Sequence, residues 1–168
     1  MTDDEQASRR YPVHEDMHLQ RRVWRFERAG WYALLVLVVA ALAGLFGNGP
    51  LSQGEVESAD GRVRVEYQRF SRSGAVDSLR IRIQGTAGEP LQVLLGGSLF
   101  REASIETLQP EPLASLSQGR ALLLRVGTGA DGVATLYLTL RADTVGTLDG
   151  LVRAGPTSAV RFSTFVYP

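Results

Sequence analysis

Residues 30–47 read GWYALLVLVVAALAGLFG, eighteen positions without a charge. At about 1.5 Å per helical residue they reach roughly 27 Å, the thickness of a thin hydrocarbon core. A helix buried in a soluble protein would carry a polar stripe, and this run has none. Trp31 and Tyr32 stand at one end, where amphipathic rings favour the headgroup layer, and Gly49-Pro50 stops a helix at the other. The expectation is one transmembrane helix over 30–47.

Its direction follows from arginine placement. Arg21, Arg22, Arg25 and Arg28 precede the run, whereas its far flank meets Glu55, Glu57 and Asp60 before its first basic residue, Arg62. Positive flanks stay inside, so the N-terminus is expected in the cytoplasm of a cell bounded by an inner membrane, with the C-terminal part periplasmic. A cleaved signal peptide is the rival reading; Ala41-Leu42-Ala43 resembles a cleavage site but lies within the apolar run. Along the helix, Ala40, Ala43 and Gly44 are small enough to admit a close neighbour.

Before the span, residues 1–29 read as a cytoplasmic tail. From Pro12 to Arg28, Met17, Val23, Trp24 and Phe26 alternate with arginines, the pattern of a helix lying in the membrane interface. The interface set is then Arg21, Arg22, Arg25, Arg28, Trp24, Trp31 and Tyr32. Residues 14–18, HEDMH, formally match the zinc-protease motif H-E-x-x-H. A tail supplies no cleft and no third ligand, and His14 and His18 are the chain's only histidines. The motif is read as coincidence or weak adventitious metal binding, with a metal-binding cytoplasmic tail as a remote alternative function.

After a linker over 48–60, periodicity turns from continuous to alternating. In RVRVEYQRF at 62–70, Val63, Val65 and Tyr67 share one face; in LRIRIQ at 79–84, Leu79, Ile81 and Ile83 do. With the SRSGAVD loop between them they predict a hairpin. Further strands are expected at LQVLL (91–95), ALLLRV (121–126), VATLYLTL (133–140) and AVRFSTFVY (159–167), with a Pro-bearing crossover at 109–119. Both phases of 133–140 are apolar, which predicts cover on both faces, and 159–167 reads as an edge whose last five residues are indispensable. Phe70, Phe100, Phe162 and Phe165 are assigned to packing, while Tyr67 and Tyr137 fit packing or recognition. The fold class expected for 61–168 is an all-β, antiparallel, immunoglobulin-like sandwich of seven or eight strands without helix.

The chemical inventory of that domain is narrow. All 18 basic residues of the chain are arginine, cysteine is absent, and the histidines lie in the tail. Imidazole-based triads, Ser-Lys dyads and His/Cys zinc sites therefore have no residues to use there. Carboxylates remain, and two of them could in principle form a glycosidase pair; on turns and outer faces they read as solvated charges. GTGADG at 127–132 matches G-x-G-x-x-G but leads into a strand rather than a helix, so it reads as a hairpin turn and not a nucleotide site. Eighteen acidic residues balance the arginines, which gives no case for nucleic acid. No catalytic residue, metal or cofactor is expected.

RFERAGW at 25–31, GLFGNGPLS at 44–52 and FVYP at 165–168 resemble the corresponding stretches of small bacterial single-pass inner-membrane proteins of unassigned function. The resemblance implies localisation and carries no activity. Two functions follow as expectations. The first is a non-catalytic accessory protein that docks its sandwich and helix on another membrane or envelope protein. The second is an extracytoplasmic ligand-binding or sensor module, which requires a concave site with convergent polar groups.

Overall fold

A computed structural model of the protein describes residues 17–42 and 52–168, with side chains from residue 22 onward. The first unit is helix α1, Met17–Leu42, of 26 residues. It runs without interruption through the expected boundary between tail and span. Gly30, the one helix-weakening residue there, costs about 1 kcal/mol against alanine and does not break it. From Trp31 to Leu42 the large apolar side chains are exposed on every side, from 44% at Val38 to 83% at Leu42. Residues 43–47 of the expected span lie outside the described residues. Among the described ones no helix is long and apolar enough to cross a membrane, because the window that remains includes Arg25, Glu27 and Arg28.

The second unit is a two-sheet β-sandwich of eleven strands among the described residues. Sheet A contains β1 (Gln53–Glu57), β2 (Val63–Gln68), β4 (Val76–Gln84), β9 (Val133–Ala142) and β6 (Ala103–Gln109), in the order β1-β2-β4-β9-β6. Sheet B contains β3 (Phe70–Arg72), β11 (Ser158–Tyr167), β10 (Gly146–Ala154), β5 (Leu91–Gly96), β8 (Ala121–Val126) and β7 (Ala114–Gln118), in the order β3-β11-β10-β5-β8-β7. All pairings are antiparallel except β3 with β11. The sandwich is therefore larger than the seven or eight strands expected, and its five-plus-six arrangement exceeds the four-plus-three of a constant-type immunoglobulin domain.

Several expectations are corrected by this topology. β1 lies inside the stretch read as linker, paired along its length with β2. β8 and β9 belong to different sheets, so GTGADG is a connection between sheets and not a hairpin turn. Its backbone is held by a neighbouring loop: the Gly85 N–H donates to Gly132 O at 2.8 Å, and Gly88 N–H to Gly129 O at 3.3 Å. The Thr128 hydroxyl faces Thr86 O and Glu89 O at 2.7 and 2.9 Å. β11 is not an edge; it sits between β10 and β3. A single helical turn, α2 (Leu99–Glu102), follows the Gly96-Gly97 turn and buries Leu99 against the core.

The alternating phase reads true where it was clearest. Val63, Val65, Leu79, Ile81 and Ile83 are buried in sheet A, and β2 and β4 pair antiparallel as expected, although the loop expected between them carries β3 of the other sheet. They face Val93, Leu95, Leu124, Val126, Val152 and Val166 of sheet B. Two glycines set the spacing near one side of this core. Gly54 is the cross-strand partner of Tyr67, and Gly150 that of Phe162. A Cβ on Gly54 would stand 2.5 Å from the Tyr67 ring, and one on Gly150 2.3 Å from the Phe162 ring. Each ring lies over the missing side chain of its neighbour, and the two rings meet between the sheets at 4.7 Å.

Candidate functional site

The outer face of sheet A follows directly from strand register. With Leu79, Ile81, Leu136 and Leu138 turned inward, the alternate positions Ser78, Arg80, Arg82, Thr135, Tyr137 and Thr139 must face outward. Register then aligns Glu55, Glu66, Arg80 and Tyr137 in one row across β1, β2, β4 and β9, continued by Gln109 on β6. A second row joins Gln53 to Gln68, and Ser78 to Thr139. Beside the latter, the Thr107 and Thr139 hydroxyls lie 2.7 Å apart. Between these rows the face dips into an open depression of about 690 Å³.

Apart from Arg82, which is exposed and unpaired among the described residues, the charges of this face are paired within it. Arg64 reaches Glu55 and Glu57, each at 3.0 Å, and Arg80 reaches Glu66 at 3.2 Å. Arg141 meets Glu106 at 3.5 Å. The Arg80 guanidinium also lies 5.8 Å from the centre of the Tyr137 ring, a distance at which the ring quadrupole attracts it. Tyr137 itself is 53% exposed. The expectation that both faces of this strand are covered is thus overturned: its inner face is core, and its outer face is a polar floor with one aromatic ring.

Two carboxyl groups outside this face have shifted titrations. Asp60 accepts hydrogen bonds from the Ser58 hydroxyl at 2.6 Å, from the Arg62 N–H at 3.3 Å and from the Ser158 hydroxyl. These, Ser158 foremost, stabilise the anion and lower its pKa to about 2. Asp77 shares the inward phase of Leu79, and burial there raises its pKa despite a hydrogen bond from Ser71. No neighbouring charge among the described residues contributes to either shift. Among the described residues no group of three or more His, Asp or Glu is placed to hold a metal ion.

No family model matches the chain, and no curated protein does. Among solved structures it is similar to a cohesin module from the family 33 glycoside hydrolase of Clostridium perfringens. That module is 12% identical over 62% of this chain and 95% of its own length, with a TM-score of 0.44. The likeness is too distant to transfer a partner or a ligand.

Of the residues singled out in the sequence, Arg22, Trp24, Arg25, Arg28, Trp31 and Tyr32 all lie exposed on α1, with the Arg28 guanidinium 4.4 Å from the centre of the Trp24 ring. Arg21 is in the same helix. Ala40 is half-buried near its end, and Ala43 and Gly44 lie outside the described residues, as do His14, Glu15 and Asp16. Phe162 is core, but Phe70 and Phe165 are 42% and 46% exposed, partners across the β3–β11 pairing. Arg80 was not singled out, and Asp77, read with the other carboxylates as a solvated charge, is instead half-buried. For Asp77 the signal was present, since it falls two residues before Leu79 in a strict alternation.

Proposed function

We propose that this chain is a non-catalytic accessory protein of the inner membrane, anchored by its N-terminal helix with the sandwich periplasmic, and that the outer face of sheet A docks on another membrane or envelope protein. The observation that carries this reading is Tyr137. An exposed tyrosine flanked by an arginine stands on an open sheet face whose acidic residues are already neutralised in pairs. Protein interfaces concentrate their binding energy in such central Tyr and Arg residues, within a rim of polar groups that lose little on contact. Apart from Arg82, the rim's charges are paired within the chain and enter the interface already neutralised.

The anchor is supported by α1, whose apolar side chains from Trp31 to Leu42 have no protein covering them among the described residues. Lipid is the medium in which a helix apolar on all sides is at ease. Arg22, Arg25 and Arg28 at its N-terminal half suit anionic headgroups on the cytoplasmic side. The absence of His, Cys and Lys from residues 52–168 supports a binding role over a catalytic one.

The test is purification of the full chain from native membranes in mild detergent, with co-purifying proteins identified by mass spectrometry. A stoichiometric membrane or envelope partner is expected, lost on Tyr137→Ala while the circular dichroism of the sandwich is unchanged. A partner retained at full yield by Tyr137→Ala, or no partner at all, would overturn the assignment.

A second reading, ligand capture, is favoured by the depression between Gln53, Gln68, Thr107 and Gln109, whose amides and hydroxyls converge as a polar ligand would need. It predicts thermal stabilisation of the solitary protein by a ligand, abolished by Tyr137→Ala.

A further inference from the structure

Four strands end the two sheets, and three of them are guarded against pairing with another chain. β1 projects Glu55 and Glu57. β6 carries a register shift between Ile105 and Thr107, and runs into Pro110. β3 is three residues long and includes Arg72. Charges, bulges, prolines and shortness are the devices by which edge strands avoid adding a partner. β7 carries no charge, bulge or proline within its length. Ala114-Ser115-Leu116-Ser117-Gln118 is uncharged, regular in its pairing with β8, and exposed at every position.

The hairpin geometry fixes which of its backbone groups are open. Gly119 has φ of +61° and Arg120, like every described non-glycine residue, has no positive φ, so Gly119-Arg120 is a two-residue turn of type II′ closed by Gln118 and Ala121. Hydrogen-bonded and open positions alternate from that closing pair. Ser115 and Ser117 therefore direct their N–H and C=O away from β8, to the free edge.

We propose that β7 pairs antiparallel with β7 of a second copy of this chain, about a twofold axis through Leu116, joining two six-stranded sheets into one. In that register Ser115 of one copy faces Ser117 of the other, and the open groups of both are satisfied. The side chains agree with the backbone. Leu116 is 63% exposed on the outer face of sheet B, opposite Leu123, which in turn is opposite Leu94. A twofold axis at Leu116 makes these three leucines one continuous row of six. The charges agree as well. Arg120 lies at one end of β7 and Glu111 just before the other, and neither has a partner within the chain among the described residues. Antiparallel self-pairing brings Arg120 of each copy to the end where Glu111 of the other enters. An isologous contact needs this self-complementarity, and a parallel arrangement would set like charges together.

The experiment uses the full chain in mild detergent, where the lack of cysteine makes single-cysteine variants unambiguous. Oxidation of Leu116→Cys is expected to yield a disulfide-linked dimer, since residues at the twofold oppose each other directly in a non-hydrogen-bonded pair. Arg82→Cys, on the outer face of sheet A, is expected to remain unlinked. Light scattering should give twice the protomer protein mass for the natural chain and the protomer mass for Leu116→Lys. Ser117→Pro removes an outward N–H while sparing the bonds to β8, and should also give the protomer mass with unchanged circular dichroism. A natural chain of protomer mass throughout the micromolar range would overturn the proposal. So would a dimer that survives both variants, which would assign the contact to α1, or equal crosslinking of the two cysteine positions. A mass above the protomer that Leu116→Lys reduces, but that contains a different protein, would overturn the second copy as the occupant.

Discussion

Gly150→Ala isolates the device that spaces the two sheets. The backbone at Gly150 has no positive φ, so alanine is admissible there, and replacing glycine restricts the unfolded chain enough to stabilise by about 0.4–1 kcal/mol. Against this, the new Cβ would stand 2.3 Å from Cζ of Phe162. The ring must swing away, and it has little room: it is 6% exposed and packs on Tyr67 at 4.7 Å. Overpacking of this kind costs about 1–3 kcal/mol. The difference is a net loss of roughly 1–2 kcal/mol, or about 4–8 °C in Tm for a domain of this size. Urea unfolding of the full chain in detergent, followed by far-ultraviolet circular dichroism, measures it. The decisive comparison is made in a Phe162→Leu background, where the shorter side chain leaves space for the methyl group. There the cost of Gly150→Ala should fall by at least about 0.5 kcal/mol, the coupling expected of residues in contact. A neutral or stabilising Gly150→Ala, or an equal cost in both backgrounds, would refute the reasoning.

Four further outcomes are expected. Deleting residues 164–168 removes Val166, which is fully buried, and the strand on which β3 pairs; the lost burial alone is worth about 1.5–3 kcal/mol, and the midpoint of urea unfolding should fall accordingly. The two shifted carboxyl groups give pH dependence of opposite sign. Asp60, lowered from 3.8 to about 2, stabilises the fold above the ordinary range and loses that contribution as pH falls through about 2; Ser158→Ala should flatten the acid unfolding profile below about pH 4. Asp77 is raised by burial, so its favourable form is the protonated one, and its contribution fades as pH rises through the elevated value. Asp77→Asn should then remove a rise in stability that the natural protein shows on acidification from neutral pH toward about 4. Gly97→Ala is expected to be severely destabilising, since φ is +97° and its Cβ would stand 2.2 Å from the Asp149 carbonyl oxygen.

What could be read from the chain without coordinates was the inner phase of the strands with strict alternation. β2 and β4 declare themselves because every second residue is Val, Leu or Ile and the residues between are arginines and other polar groups. β10 does not. Its inward positions are Leu148, Gly150 and Val152, and the glycine in the middle breaks the apolar row that would have revealed it. The same glycine makes room for Phe162, so the feature that hides the strand is the one that seats its neighbour. β7 is hidden for a different reason. Neither of its faces is covered, so burial imposes no alternation on ASLSQ, and two prolines just before it made the stretch read as a crossover. β9 misled in the other direction: Val133 and Tyr137 on its outer phase resemble core residues in composition, yet they face outward because Ala134, Leu136, Leu138 and Leu140 already fill the inner one.

The surfaces proposed for docking follow from pairings between distant segments, which is why the sequence could not place them. Arg80 and Tyr137 become neighbours only when β4 pairs with β9, and Glu66 joins them only through β2. Seen singly, each is an ordinary solvated residue on a strand. Together they concentrate an aromatic ring and a cation on a face where the acidic residues Glu55, Glu57, Glu66 and Glu106 are already paired. The edge of sheet B makes the complementary point. A domain that spends charges, a bulge and a proline to close three edges can leave the fourth uncharged only if exposure of that edge is brief or something covers it. The sheet A face and the β7 edge lie on different sheets, so pairing through β7 leaves Tyr137 free. An accessory protein built this way would present two copies of its docking face to its partner. Leu116→Lys should then weaken retention of a dimeric partner while leaving every contact of Tyr137 intact, whereas Tyr137→Ala should abolish retention without altering the protomer count. Reversal of those two results would mean that β7, and not the sheet A face, is the surface that docks.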